Sequence, residues 1–273
     1  ASIETRSERA RSPSGHPYRT RDCRGRTPCR SVALSIPVGC VPRSQTVVIM
    51  DGLEALLDRV REAMDAANSA RERALTLSRE TIRFSANSIR ATHREEYPLA
   101  QTLLGEARSR VERMRETLAD HPEIYWTGYV QDAQKEFAEA SLVLALVQGD
   151  NPPGPDDLHV EHAAYLNGLG EAAGELRRHF LDLLRRGNVV RAGEVLSRMD
   201  DIYDGLVTFD YPDALTSGLR RTTDMVRGVL ERSRGDLTAA IRQEQLQERL
   251  RRVEEQIARV SGDPPTGPAP SKP

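Results

Sequence analysis

The segment DAQKEFAEASLVLALVQ, residues 132–148, indicates the fold of this chain more directly than any other stretch. Its apolar residues recur at steps of three and four, the spacing of one face of an α-helix, and its second half, SLVLALV, is apolar on every side. Such a helix has to be covered by other helices, either of this chain or of another subunit. Asp132, Glu136 and Glu139 form an acidic strip at the edge of this segment. We therefore expect carboxylates that do not point freely into bulk water.

Helical periodicity continues on both sides of this segment. Upstream it predicts a long first helix over about residues 51–95 and a second helix from Pro98 to near Asp120, after which Pro122 opens the third. Downstream, the stretch GDNPPGPDD is incompatible with a helix and predicts a loop over 149–157. The fourth predicted helix ends at Arg186. Three further helices are predicted over about residues 191–206, 212–234 and 237–260, and Asp236 is the N-cap of the last one. No window shows strand alternation, so the predicted class is all-α, a single domain of about seven helices.

Composition divides the chain into three parts. The first 49 residues hold all three cysteines and nine arginines against three acids, which predicts a disordered basic leader or a non-native start before Met50. Residues 50–260 form the predicted helical domain, and residues 261–273 a disordered tail. The domain has no cysteine, which is typical of a reducing cytosol, and we expect a cytoplasmic protein. Its longest apolar run, Leu142 to Val147, is too short to cross a bilayer.

A second acidic pair, Glu171 and Glu175, lies one turn apart on the fourth predicted helix. With Glu136 and Glu139 it would supply the hard oxygen ligands that Mg²⁺ takes alongside water and substrate phosphate. A cation held there activates water and offsets charge on a departing oxygen, as phosphodiester cleavage requires. The spacing alone favours exposed glutamates of ordinary helices, and the metal site stays open beside that interpretation. A di-iron site is disfavoured because it needs Glu-x-x-His twice, and the third helix has no histidine.

The basic residues of the domain are almost all arginine, and Lys135 is its only lysine. Arginine suits phosphate because its planar fork binds two oxygens, but a GC-rich genome also favours arginine over lysine. Arg83 and Arg90 share a face of the first helix, as Arg108 and Arg115 do on the second. Because glutamates are interleaved with these arginines, the pattern alone favours a solvated face of i,i+4 ion pairs over a track for phosphates. A net charge of -2 argues against coating of nucleic acid over the whole surface, so any binding face is local.

Five segments carry a resemblance to a known family. RERALTLSRETIRFSANSIRATHR (71–94) contains a Leu-Ser-Arg-Glu core and a closing His-Arg, and KEFAEAS (135–141) contains a Glu-x-x-Glu motif. AYLNGLGEAAGELRRHF (164–180) follows the pattern Tyr-Leu-x-Gly-x-x-Asp/Glu-x-x-Gly-Glu-Leu, and MDDIYDGL (199–206) and LRRTTDMVRGVLER (219–232) come next. In this order, the segments resemble the translin superfamily, particularly the branch of translin-associated factor X.

The resemblance implies an all-helical protein that binds RNA and assembles into a closed, hollow oligomer, commonly an octamer. The factor X branch supplies a Mg²⁺-dependent endoribonuclease whose acidic residues face the interior cavity, and Mn²⁺ is an expected substitute. The residues that carry over as catalytic and metal-binding are Glu136, Glu139, Glu171 and Glu175. The candidates for RNA contact are Arg79, Arg83, Arg90 and Arg94. Glu171 is one methylene longer than the Asp that the family usually has at its position.

Two other functions stay open at this stage. One is a non-catalytic protein that binds single-stranded RNA or DNA, and the other is a helical scaffold without nucleic-acid affinity. No segment suited to a different partner protein is evident, which favours a homo-oligomer over a mixed one.

Overall fold

Nine helices follow one another in the part of the chain that the computed structural model describes, the backbone of residues 43–261 and the side chains of residues 52–260. They are α1 (Arg43–His93), α2 (Tyr97–Thr117), α3 (Pro122–Tyr125), α4 (Gly128–Gln148), α5 (Pro155–Leu158), α6 (His162–Arg185), α7 (Val189–Val207), α8 (Asp213–Thr216) and α9 (Leu219–Ser261). Three of them, α3, α5 and α8, are single turns of four residues. Since no strand occurs over these residues, the predicted all-α class is confirmed.

The N-terminal boundary differs from the predicted one. α1 begins at Arg43, within the segment predicted as a leader, rather than near residue 51. The chain divides into two units, Ala1–Leu53 and Glu54–Pro273, and the core and site described below belong to the second. Residues 1–42 and 262–273 lie outside the described part, so the leader, domain and tail stay predictions.

The predicted third helix is interrupted near its start. Its first turn, α3, is separate from α4 because Thr127 has an extended backbone, with ψ 150°. The hydroxyl of Thr127 donates to the carbonyl of Ile124 at 2.6 Å, which closes the break. The predicted loop at 149–157 is also partly helical, because Pro155 opens the single turn α5, where the N–H that proline lacks would have no helical partner.

The last two predicted helices form a single helix, α9, in the structure. α9 continues through Asp236, where a break was predicted, because that carboxylate accepts a hydrogen bond from Arg177 of α6 at 2.8 Å instead of capping a helix. The chain turns earlier, at Ser217 and Gly218, whose left-handed φ angles of 51° and 84° separate α8 from α9. This turn carries a serine as well as a glycine, which is why the helical period alone did not place it.

α4 is the central helix of the fold. Leu142 and Val143 are fully buried in one cluster with side chains of α6, α7 and α9, while Leu144 packs with Ala91 of α1 and Ala100 of α2. The apolar half of α4 is therefore covered by helices of its own chain. Of the two predicted sources of cover, a second subunit is not needed.

α1 packs largely through alanines and hydroxyl residues, with few large apolar side chains among its buried positions. Ala70 and Ala74 are fully buried, and Ser78 donates to the carbonyl of Tyr129 at 2.8 Å. Ser88 donates to the carbonyl of Ala100 at 2.9 Å. These small residues let the C-terminal half of α1 lie close to α2 and α4, and this position brings the end of α1 to the acidic side chains of α6.

Candidate metal centre

Gly168 sets the distance between α4 and α6. A Cβ at this position would lie 2.8 Å from the carbonyl oxygen of Lys135 and 3.0 Å from the amide nitrogen of Glu139. Both are backbone atoms, so only a residue without a side chain fits here. Buried Gln134 adds a second link, because its Oε1 accepts a hydrogen bond from the amide of Glu161 at 2.8 Å, at the start of α6. The two helices that carry the predicted carboxylates are therefore held at close range.

Three of the four predicted carboxylates converge. Glu136 and Glu139 of α4 and Glu171 of α6 each offer one oxygen, and these oxygens lie within 4.8 Å of one another. Glu139 is only 8% exposed, whereas the side chains of Glu136 and Glu171 are 27% and 35% exposed. We call these residues the carboxylate trio. It combines one buried acid with two that solvent reaches.

The fourth predicted carboxylate has a different partner. Glu175 Oε2 lies 2.6 Å from Nε2 of His93, the last residue of α1, whose side chain is only 4% exposed. The pKa of Glu175 is lowered, first by this hydrogen bond and further by the charges of His93 and Arg178, although burial acts in the opposite direction. Glu175 is near enough for its charge to raise the pKa of Glu139. It therefore borders the trio while remaining tied to α1.

Lys135 neutralises part of the trio. Its Nζ donates to both carboxylate oxygens of Glu171, at 2.8 and 2.7 Å, and lies 3.3 Å from Oε1 of Glu136. Burial works to lower the pKa of Lys135, but the hydrogen bond and charge of Glu171, with those of Glu136, raise it overall. The ammonium is therefore charged at neutral pH.

Glu139 is the acid whose ionisation the site disfavours most. Its pKa is raised from 4.5 to about 8, first because the carboxyl is buried and then because of the negative charges of Glu136, Glu171 and Glu175. The Lys135 ammonium offsets only part of this effect. A raised pKa of about 8 means that the carboxyl holds a proton at pH 7 in the absence of a cation.

We expect the stability of the metal-free protein to fall as pH rises towards about 8, because of Glu139. Between 4.5 and about 8 the unfolded chain releases this proton while the folded chain keeps it, so rising pH favours unfolding. The slope reaches about 1.4 kcal/mol per pH unit. His179 acts oppositely below 6.5, since burial, and then the charges of His93 and Arg191, lower its pKa. The effect of Glu139 on stability is therefore measured most clearly between about pH 6.5 and 8.

Urea unfolding in the presence of a chelator, at half-unit steps of pH, measures this slope. The control is Glu139→Gln, in which the titrating proton is absent and the free energy of unfolding should be nearly level across the same window. A wild-type curve as level as that of the variant would contradict the assignment.

The trio fits a divalent cation of the Mg²⁺ type. Its donors are all carboxylate oxygens, the hard ligands that Mg²⁺ prefers, and two of the three acids are open to water, which this ion keeps in its shell. Mg²⁺ holds its ligands at about 2.0–2.1 Å, so ligand oxygens on one ion are roughly 3 to 4 Å apart. The trio approaches this spacing and needs only small side-chain movements to reach it.

Three of the four arginines predicted to contact RNA, Arg79, Arg83 and Arg90, are exposed on α1, and Arg94 is exposed immediately after its end. At 3.6 residues per turn, Arg79, Arg83 and Arg90 fall within about 40° of one another, and His93 lies about 40° to one side. Two of the four arginines have polar partners nearby: Arg90 donates to Asn87 at 2.8 Å, and Arg94 pairs with Glu96 at 2.8 Å. The row therefore runs beside the residue that contacts Glu175.

Three arginines of α2 serve the fold instead. Arg108 and Arg115 donate to the carbonyls of Asp157 and His159, at 2.9 and 2.8 Å, and so hold the chain between α4 and α6. Arg110 pairs with Glu80 at 3.1 Å. Arg110 also forms the i,i+4 pair with Glu106 that the pattern favoured, whereas Arg108 and Arg115 contact backbone carbonyls instead of neighbouring glutamates.

Two residues of the site were not predicted as part of it, Lys135 and His93. Lys135 had a signal in the sequence, since it is the only lysine among the arginines of residues 50–260. His93 had only its place in the closing His-Arg of the first motif. Neither spacing nor composition indicates that these side chains reach α6.

Among the described residues, no helix has the length and apolar character needed to cross a membrane. No protein-family model matches the chain. An uncharacterised protein of Methanocaldococcus jannaschii is 34% identical over 211 residues, which are 76% of this chain and 91% of that protein.

Solved structures extend the comparison to the fold. The chain is 35% identical to AfC3PO, solved in complex with duplex RNA, with a TM-score of 0.64 over 67% of this chain and 95% of that one. A crystal structure of AfC3PO gives the same identity and TM-score over 96% of its chain. Apo-NeC3PO, at 22% identity and a TM-score of 0.62, shares the fold.

Proposed function

This chain belongs to the translin superfamily, and from that premise we propose that it is an RNA-binding, Mg²⁺-dependent endoribonuclease of the translin-associated factor X type. The observation that carries the proposal is the carboxylate trio, which α4 and α6 bring together around one point. The relative at 35% identity that was solved with duplex RNA supports RNA as the ligand. We also propose a cytoplasmic location, from the absence of cysteine in the helical domain.

In this proposal the trio holds the cation and the arginine row of α1 holds the strand. Glu139 gives up its proton when it becomes a ligand, because ligating carboxylates are ionised. Glu136 and Glu171 hold the open side of the site, where phosphate approaches. A bound cation would act as a Lewis acid, which activates water and offsets charge on the departing oxygen. Glu175, held by His93, adds negative charge at the border of the site.

The direct test is cleavage of end-labelled single-stranded RNA by the purified protein, with Mg²⁺, with Mn²⁺ and with a chelator. Glu139→Gln is the decisive variant, and its expected result is argued in the Discussion. Binding of the same RNA is measured in parallel, because the alternative function differs from the proposed one only in turnover.

The alternative is a non-catalytic protein that binds single-stranded RNA or DNA. One observation favours it. Lys135 already donates hydrogen bonds to both carboxylate oxygens of Glu171, so the trio also has the form of an internal ion-pair cluster. Such a protein would bind RNA through the arginine row, with affinity that falls as salt rises, and would show no metal-dependent cleavage.

We further propose that the protein is a homo-oligomer, because α9 leaves a long apolar row exposed. The row lies towards the end of the helix, at alternating steps of four and three, as in a coiled-coil seam. Its members are Leu246, Leu250, Val253, Ile257 and Val260, which are 49–89% exposed. Neighbouring side chains of the described chain leave this row open to solvent, and a second copy would cover it.

We expect Leu250→Glu to lower the mass of the particle measured by light scattering. A buried carboxylate opposite an apolar row costs several kcal/mol, which is enough to dissociate a helical seam. The matched control is Gln245→Glu, which adds the same charge at an exposed position outside the row. A wild-type mass equal to the 30.4 kDa of one chain would contradict the oligomer.

A further inference from the structure

Lys135 occupies the oxygens that the trio would offer to a cation. It is the only lysine among residues 50–260, and its side chain is 21% exposed. Its three-donor ammonium group contacts Glu171 through both oxygens and Glu136 through one. Two of the three acids of the trio are therefore already paired with a positive charge.

The third acid, Glu139, forms no ion pair within the described residues. Its side chain is only 8% exposed, so water reaches it less than it reaches Glu136 and Glu171. The Lys135 ammonium is therefore the one positive charge that pairs with the trio in the described part of the chain. A divalent cation that binds the same oxygens competes with Lys135 for Glu171.

We propose that Lys135 is an internal counterion that holds the trio together in the metal-free protein and releases Glu171 when a divalent cation binds. This inference rests on the metal site of the proposed function. Lys135 thus sets the concentration of cation at which the site fills, and the protein binds Mg²⁺ more weakly than three carboxylates alone would.

The choice of lysine fits this role better than arginine does. Lysine is a point charge on a flexible four-carbon stem, so it moves away from Glu171 without disturbing α4. A guanidinium would hold both oxygens of Glu171 in a rigid fork and would be harder to displace. Apart from Lys135, every lysine or arginine position up to residue 260 is an arginine. The single lysine therefore lies at the position where, in this proposal, the side chain has to move away from its carboxylate.

Calorimetric titration with Mn²⁺ tests the proposal, with the wild type, Lys135→Met and Lys135→Arg as the series. We expect Lys135→Met to bind Mn²⁺ at least about tenfold more tightly than the wild type, because no ammonium competes for Glu171. Lys135→Arg should bind it more weakly than the wild type. Thermal unfolding in a chelator should rank the three proteins in the opposite order, with Lys135→Met the least stable and Lys135→Arg at least as stable as the wild type.

The matched control is Arg178→Met, which removes one positive charge from the exposed face of α6 near Glu175. It should change Mn²⁺ affinity less than about threefold, because an exposed charge acts through water. An affinity of Lys135→Met equal to or weaker than that of the wild type overturns the role of Lys135 and leaves the metal site standing. Absence of Mn²⁺ binding at millimolar concentration in both proteins overturns the metal site itself, and the role of Lys135 with it. Because Lys135→Arg keeps the charge, the series gives a result even if Lys135→Met fails to fold.

Discussion

Glu139→Gln is expected to reduce Mg²⁺-dependent RNA cleavage by at least about 100-fold while the protein stays folded. Glutamine has the shape of glutamate but cannot become an anionic ligand, and cation binding by the trio needs an ionised carboxylate at this buried position. The lost electrostatic stabilisation amounts to several kcal/mol, and each 1.4 kcal/mol is about a factor of ten in rate. Initial rates on end-labelled RNA, at saturating RNA and Mg²⁺, give the comparison.

The same variant separates the two functions proposed for this chain. Because Glu139 is buried and neutral at pH 7 without a cation, Glu139→Gln should unfold at the same or a higher denaturant concentration than the wild type. RNA binding should also persist, since the arginine row of α1 is unchanged. Equal cleavage by wild type and variant would remove the assigned site, and absence of cleavage in both, with binding retained, would support the non-catalytic alternative.

Gly168→Ala should destabilise the protein strongly. The new Cβ would lie 2.8 Å from a backbone oxygen and 3.0 Å from a backbone nitrogen of α4, so α4 and α6 have to move apart. Overpacking of this kind costs about 3 kcal/mol, or about 6 to 12 °C in melting temperature for a domain of this size. Because the trio spans both helices, metal binding should weaken as well.

Gly174→Ala is the matched control for this prediction. Gly174 lies on the same helix, and a Cβ there would meet nothing within 4 Å. In a helix interior such a change is neutral or stabilises by up to about 1 kcal/mol. Melting curves of the two variants are therefore expected to shift in opposite directions. A Gly168→Ala protein as stable as the wild type would show that the approach of α4 to α6 is not fixed by this glycine.

The correct parts of the predicted helix pattern and its errors have different physical origins. Burial of one face imposes a period of 3.6 residues, so the long helices and the core stripe of α4 were evident before the structure. Breaks were less predictable, because a helix ends where backbone geometry and side-chain partners decide. Thr127 interrupts one predicted helix, whereas Asp236 interrupts none because Arg177 binds it.

The sequence by itself determined that this protein is helical and that Glu136 and Glu139 share one face of a helix, with Glu171 and Glu175 on another. Those relations are local, since the backbone geometry of a single helix fixes them. Only the tertiary structure decided that three of the four acids form the trio while Glu175 turns to His93. It also decided that Lys135 pairs with Glu171 and Glu136, and that burial and neighbouring charges raise the pKa of Glu139. These outcomes depend on how closely two helices approach and how much water is excluded between them, which no spacing along the chain specifies.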